Sequence, residues 1–66
     1  MLKCAVINAT YLNKKHSIKL CCKPSVGDVL AINYLNERVD QVLFVTPMLK
    51  KDLPELEGFD LLVYTK

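Results

Sequence analysis

From His16 to Cys22 the chain alternates, with Ile18, Leu20 and Cys22 on one side of an extended backbone and Ser17, Lys19 and Cys21 on the other. A period of two is the pattern of a strand with one face in water. The other apolar stretches are also short, and Asn13, Pro24, Gly27, Pro47 and Gly58 interrupt them. A chain of 66 residues makes one domain, residues 1–66. At this length folding buries roughly 60% of the surface that the unfolded chain exposes, so the core is small.

Leu2–Asn8 is rich in β-branched and small apolar residues and reads as a strand, paired as an antiparallel hairpin with His16–Cys22. In the run Lys23-Pro24-Ser25-Val26-Gly27-Asp28, Pro24 cannot donate to a sheet ladder and Gly27 is free to adopt positive φ for a reversal. Two readings of the next segment stand. In the favoured one, Val29 to Tyr34 is a third strand, Leu35-Asn36-Glu37-Arg38 a turn, and Val39 to Thr46 a fourth strand. In the other, Ser25 caps a helix from Val26 to about Glu37, with Asp28 near its positive end. Gly27 in the first turn of such a helix costs about 1 kcal/mol relative to alanine. Val39 to Thr46 carries dense β-branched and aromatic content and ends at Pro47. Leu49, Leu53 and Leu56 have the spacing of one short helical turn, limited by Pro54 and ended by Gly58. Phe59 to Thr65 then closes the chain as a strand with Phe59, Leu61 and Val63 on one face.

The expected fold is therefore mostly β: a small five-stranded antiparallel sheet or SH3-like barrel with one short helical turn. The alternative is an α+β arrangement, ββαββ, with a helix at about 26–37. Pro24-Ser25-Val26-Gly27-Asp28, followed by Val29 to Asn33, resembles the turn before the third strand of small SH3-like barrel modules. That resemblance implies a binding module, although a fold does not by itself determine a function.

Charge gives the clearest functional signal. The first 27 residues carry five lysines (Lys3, Lys14, Lys15, Lys19 and Lys23) and no carboxylate side chain, whereas all seven acidic residues lie from Asp28 onward. The net charge of +2 thus conceals a basic part of about +5 and an acidic part of about −3. Such asymmetry points to an oppositely charged partner, because a concentrated field raises encounter rates more than a diluted one. Lys14 and Lys15 belong to the hairpin tip, Lys19 to the exposed strand face and Lys23 to its end, with Tyr11 nearby as a stacking ring. These five residues, Tyr11, Lys14, Lys15, Lys19 and Lys23, are the predicted interface. The competing role for the lysines is to solubilise the hairpin and discourage edge-to-edge pairing.

No stretch carries a catalytic, cofactor or nucleotide signature. His16 is the only histidine; along an extended strand it lies about 20 Å from Cys22, and it reads as a solvent-facing side chain beside a lysine-rich turn. Cys4, Cys21, Cys22 and His16 lack the spacing of a zinc module, and the cysteines read as three reduced thiols acting as small hydrophobes. Asp52, Glu55 and Glu57 alternate with leucines as a solvated half-buried turn does. With two glycines, the chain lacks a phosphate-cradling loop.

Met1 leads straight into alternating residues, with no targeting segment or membrane span, so a cytoplasmic protein is expected. The expected function is that of a small, non-enzymatic, cofactor-free protein-binding module meeting an acidic partner surface through its basic hairpin. A compact, lone binding domain of this kind looks like the accessory proteins with which bacteriophages bind or inhibit host machinery. Nucleic-acid binding is the first alternative, although arginine occurs once, tryptophan is absent and the pI is about 8.5. A homo-oligomer joined basic part to acidic part is the second.

Overall fold

A computed structural model describes residues 1–9, 15–32 and 35–66. Its strands are β1 (Leu2–Asn8), β2 (Lys15–Leu20), β3 (Val29–Ile32), β4 (Leu35–Phe44) and β5 (Leu61–Thr65). Between β4 and β5 lie a short helix α1 (Pro47–Asp52) and a single 3-10 turn (Pro54–Leu56). The protein is mostly β, and the strands curl into a half-barrel in the order β2-β1-β5-β4-β3.

Two expectations are corrected. The sheet is mixed, because β1 and β5 run parallel, with Cys4 opposite Leu61, Val6 opposite Val63 and Asn8 opposite Thr65. Strand β5 lies at the centre of the sheet, and Leu61, Leu62 and Val63 are buried on both of its faces, which explains the uninterrupted apolar run in its sequence. Leu35-Asn36-Glu37-Arg38 is also not a turn: these residues open β4 and pair with β3, from Ile32 opposite Leu35 to Val29 opposite Arg38. The same pairing excludes the alternative helix at about 26–37 across its described part. The third strand ends at Ile32, and the rest of its expected span, residues 33–34, lies outside the described residues.

Strand β4 serves two neighbours, β3 along its first half and β5 along its second. The register shifts where Val39 faces Thr65 but Gln41 already faces Tyr64, leaving Asp40 as the extra residue of a bulge. A bulge reverses the side-chain alternation, so Glu37 and Val39 point inward before it and Val42 after it. Asp40 turns to solvent, with a carboxylate oxygen 3.3 Å from Lys66 Nζ.

The core on the concave side joins Cys4, Val6, Ile32, Val39, Leu61 and Val63, with Leu2, Ile18, Leu20, Leu30 and Val42 packed around it. Every strand contributes, and β2 alternates as expected over Ile18 and Leu20 inward and Lys19 outward, but the strand ends at Leu20, so Cys22, expected on the inner face, is exposed. The expected helical segment is split by Pro54 into α1 and the 3-10 turn. Thr46 caps α1, its Oγ1 accepting the Leu49 N–H at 3.2 Å, and Pro47 takes the first helical turn, where no N–H is needed. Leu56 is buried, and Gly58 leaves the turn with φ of +87°. Gly27 reverses the chain before β3 with φ of +95°, as the turn reading required.

Candidate binding surface

The outer face of β1 and β2 is built from three cross-strand pairs: Lys3 with Lys19, Ala5 with Ser17 and Ile7 with Lys15. Directly opposed residues hold their Cβ atoms about 5 Å apart, and like charges so placed destabilise the sheet. Lys3 and Lys19 are such a pair. Among the described residues neither lysine forms an ion pair; Lys3 Nζ instead lies 4.8 Å from the centre of the Phe59 ring. The small side chains of Ala5 and Ser17 leave a dip between the lysine rows. The 3-10 turn walls this dip, making a mostly apolar crevice of about 200 Å³ that Ala5, Ile7, Ser17, Leu56 and Phe59 help to line. Lys15 closes one end, 3.6 Å from Glu55, with both side chains more than half exposed. An exposed pair of this kind contributes roughly 0–1 kcal/mol, so Lys15 is readily redirected to another anion.

Of the five predicted interface residues, Lys15 and Lys19 share this surface. Lys23 does not: its Nζ lies 4.8 Å from the centre of the Phe44 ring, beside a separate open groove of about 310 Å³ lined by Pro24, Ser25, Val26 and Val42. Tyr11 and Lys14 lie outside the described residues. Lys3 belongs to the acid-free run but not to the predicted interface. Its place at alternate spacing from Ala5 and Ile7 was the available signal. Phe59, expected to open the last strand, precedes β5, and its ring lies under the Lys3 ammonium.

His16 corrects another expectation. It is not solvent-facing: its side chain is 18% exposed, and Nε2 stands 3.7 Å from Glu37 Oε2. Glu37 is itself buried and gathers three further strands, its Oε1 accepting a hydrogen bond from Asn8 Nδ2 at 2.9 Å and from Thr65 Oγ1 at 2.5 Å. A buried carboxylate is costly unless hydrogen-bonded, and here the donors come from the ends of β1 and β5. No spacing in the sequence announces this cluster, because β1, β2, β4 and β5 each supply one member. Among the described residues no buried side-chain polar atom lacks a partner.

All three cysteines are free, Cys4 buried and Cys21 and Cys22 exposed. Burial, helped by the nearby charge of Asp60, pushes the Cys4 thiol up. A hydrogen bond with Cys21 is the main cause that pushes Cys22 up. Both shifts disfavour the nucleophilic thiolate. Among the described residues no group of three or more His, Cys, Asp and Glu side chains is placed to hold a metal ion, and no helix is long and apolar enough to cross a membrane. No protein-family model, curated protein or solved structure matches the chain.

Proposed function

We propose that the chain is a small protein-binding module that takes an acidic segment of its partner on the outer face of β1 and β2. The observation that carries this reading is the unneutralised Lys3–Lys19 pair beside an apolar crevice. The protein keeps two like charges opposed, at a cost to its own sheet, and an anionic partner relieves that repulsion. The crevice takes one apolar side chain, while Lys3, Lys15 and Lys19 receive carboxylates around it. Such an anchor surrounded by charge gives specificity and fast encounter. Masking an acidic site in this way amounts to inhibition of whatever that site normally binds, which is the role expected of an accessory or inhibitor protein.

The reading is tested by affinity capture from a nuclease-treated cell lysate, comparing the wild type with a variant carrying Lys3→Glu and Lys19→Glu. One protein retained in stoichiometric amount by the wild type and lost from the variant is the expected result. Identical eluates overturn the proposal. Loss of all captured protein after nuclease, with nucleic acid recovered before it, transfers the lysines to phosphate binding.

A further inference from the structure

Backbone hydrogen bonds on β4 determine which way β3 faces. The Val39 N–H donates to the Asp28 carbonyl at 2.7 Å, and the Val39 carbonyl accepts from the Gly27 N–H at 2.9 Å. Both polar groups of Val39 therefore point to the β3 side. The Arg38 carbonyl, by contrast, accepts the Lys66 N–H at 3.0 Å, on the β5 side. Because these directions alternate along a strand, Glu37 and Leu35 turn toward β3 and meet Leu30 and Ile32. Val29 and Ala31 then aim their N–H and C=O groups away from β4, toward an edge that no described strand covers.

This edge lacks the usual protection. Val29–Ile32 contains no charge and no proline, and Val29 is 58% exposed, with Val26 before it at 69% and Leu35 across the hairpin at 57%. We propose that β3 is a self-association surface, on which two copies pair β3 to β3 antiparallel about a two-fold axis through Leu30. Val29 then stands opposite Ala31 of the partner subunit, and each such pair exchanges both of its free N–H···O bonds. A second copy fits because the contact is isologous and the strand uncharged. The antiparallel register also puts the two Asp28 carboxylates at opposite ends of the joined strands, and each already accepts a Ser25 N–H within its own chain, at 2.8 Å. The same operation at the β2 edge sets lysine against lysine. The β3 surface is separate from the lysine crevice and does not depend on its function. A four-residue strand covers much less than the roughly 800 Å² per partner of a stable interface, so the dimer is weak and concentration-dependent.

Analytical ultracentrifugation of the whole chain from about 1 μM to about 1 mM spans the relevant range of dissociation constants. The wild type is expected to pass from monomer toward dimer over this range. Ala31→Pro removes an N–H that β4 does not use, so it is expected to stay monomeric with its thermal unfolding transition retained. Val29→Lys gives each copy a charge at the contact and is expected to stay monomeric as well, which keeps the test open if the proline variant misfolds. Lys19→Glu is expected to dimerise like the wild type. A monomeric wild type throughout overturns the proposal, as does undiminished dimerisation of a folded Ala31→Pro and of Val29→Lys. Loss of the dimer in Lys19→Glu alone also overturns it, in favour of head-to-tail charge pairing.

Discussion

The two free edges of the sheet, β2 and β3, face opposite physical risks. β2 has six residues with lysine at both Lys15 and Lys19, whereas β3 has four residues and no charge at all. Exposed strand edges template pairing with other chains, and lysine is a common means of preventing it. One edge thus carries charges that discourage pairing with its own kind, and the other lacks them. The bipartite charge of the sequence becomes, in three dimensions, a division between a basic β1–β2 hairpin and a β3–β4 hairpin whose edge is neutral. Only β5 lies between them.

The strongest way to break that comparison is to remove the divider. Leu61→Ala empties a fully buried site in the core and is expected to lower stability by about 2–5 kcal/mol. Urea denaturation followed at probes on both hairpins should show a single coincident transition. Two separate transitions would mean that the edges belong to independent units. Glu37→Leu acts on the polar tie between the hairpins, deleting the acceptor used by Asn8 and Thr65. A loss of about 1–3 kcal/mol is expected; a neutral result would make the cluster dispensable packing.

The smallest effect sharpens the contrast most. Lys19→Thr removes one member of the opposed Lys3–Lys19 pair and is expected to stabilise the fold by about 0.2–1 kcal/mol. Added salt should shrink that gain, since it screens the repulsion in the wild type. No gain at low salt would show that the two ammonium groups already avoid each other, and the argument for an anionic partner would weaken accordingly. The double change Lys15→Thr with Lys19→Thr makes β2 resemble β3, and a drop in solubility is the expected outcome.

Much of this architecture is legible in the residues themselves. Alternation placed Ile18 and Leu20 inward and Lys19 outward, and Gly27, Pro47, Pro54 and Gly58 marked where the chain changes direction. What escaped is non-local. The run Leu35 to Arg38 is polar enough to suggest a turn, yet it is an extended strand because β3 supplies its backbone partners and Glu37 finds donors far away in sequence. His16 looked exposed for the same reason, since its neighbour Glu37 arrives from another strand. The parallel pairing of β1 with β5 could not be inferred from either segment alone. The lysines were identifiable as a group, but only the register separates Lys3 and Lys19, on the outer face, from Lys23 beside Phe44.

The central position of β5 has a consequence for how the molecule assembles. Each hairpin forms from residues close in sequence, but the Lys3–Asp60 hydrogen bonds, in which the Lys3 N–H donates to Asp60 Oδ2 and the Asp60 N–H donates to the Lys3 carbonyl, each at 2.8 Å, close a loop of 57 residues. Closing a loop of this size costs entropy before any contact rewards it, which slows folding. During synthesis the two hairpins emerge first and wait, apolar sides uncovered, until the strand that belongs between them leaves the ribosome. The last of the five strands to be made thus completes the sheet.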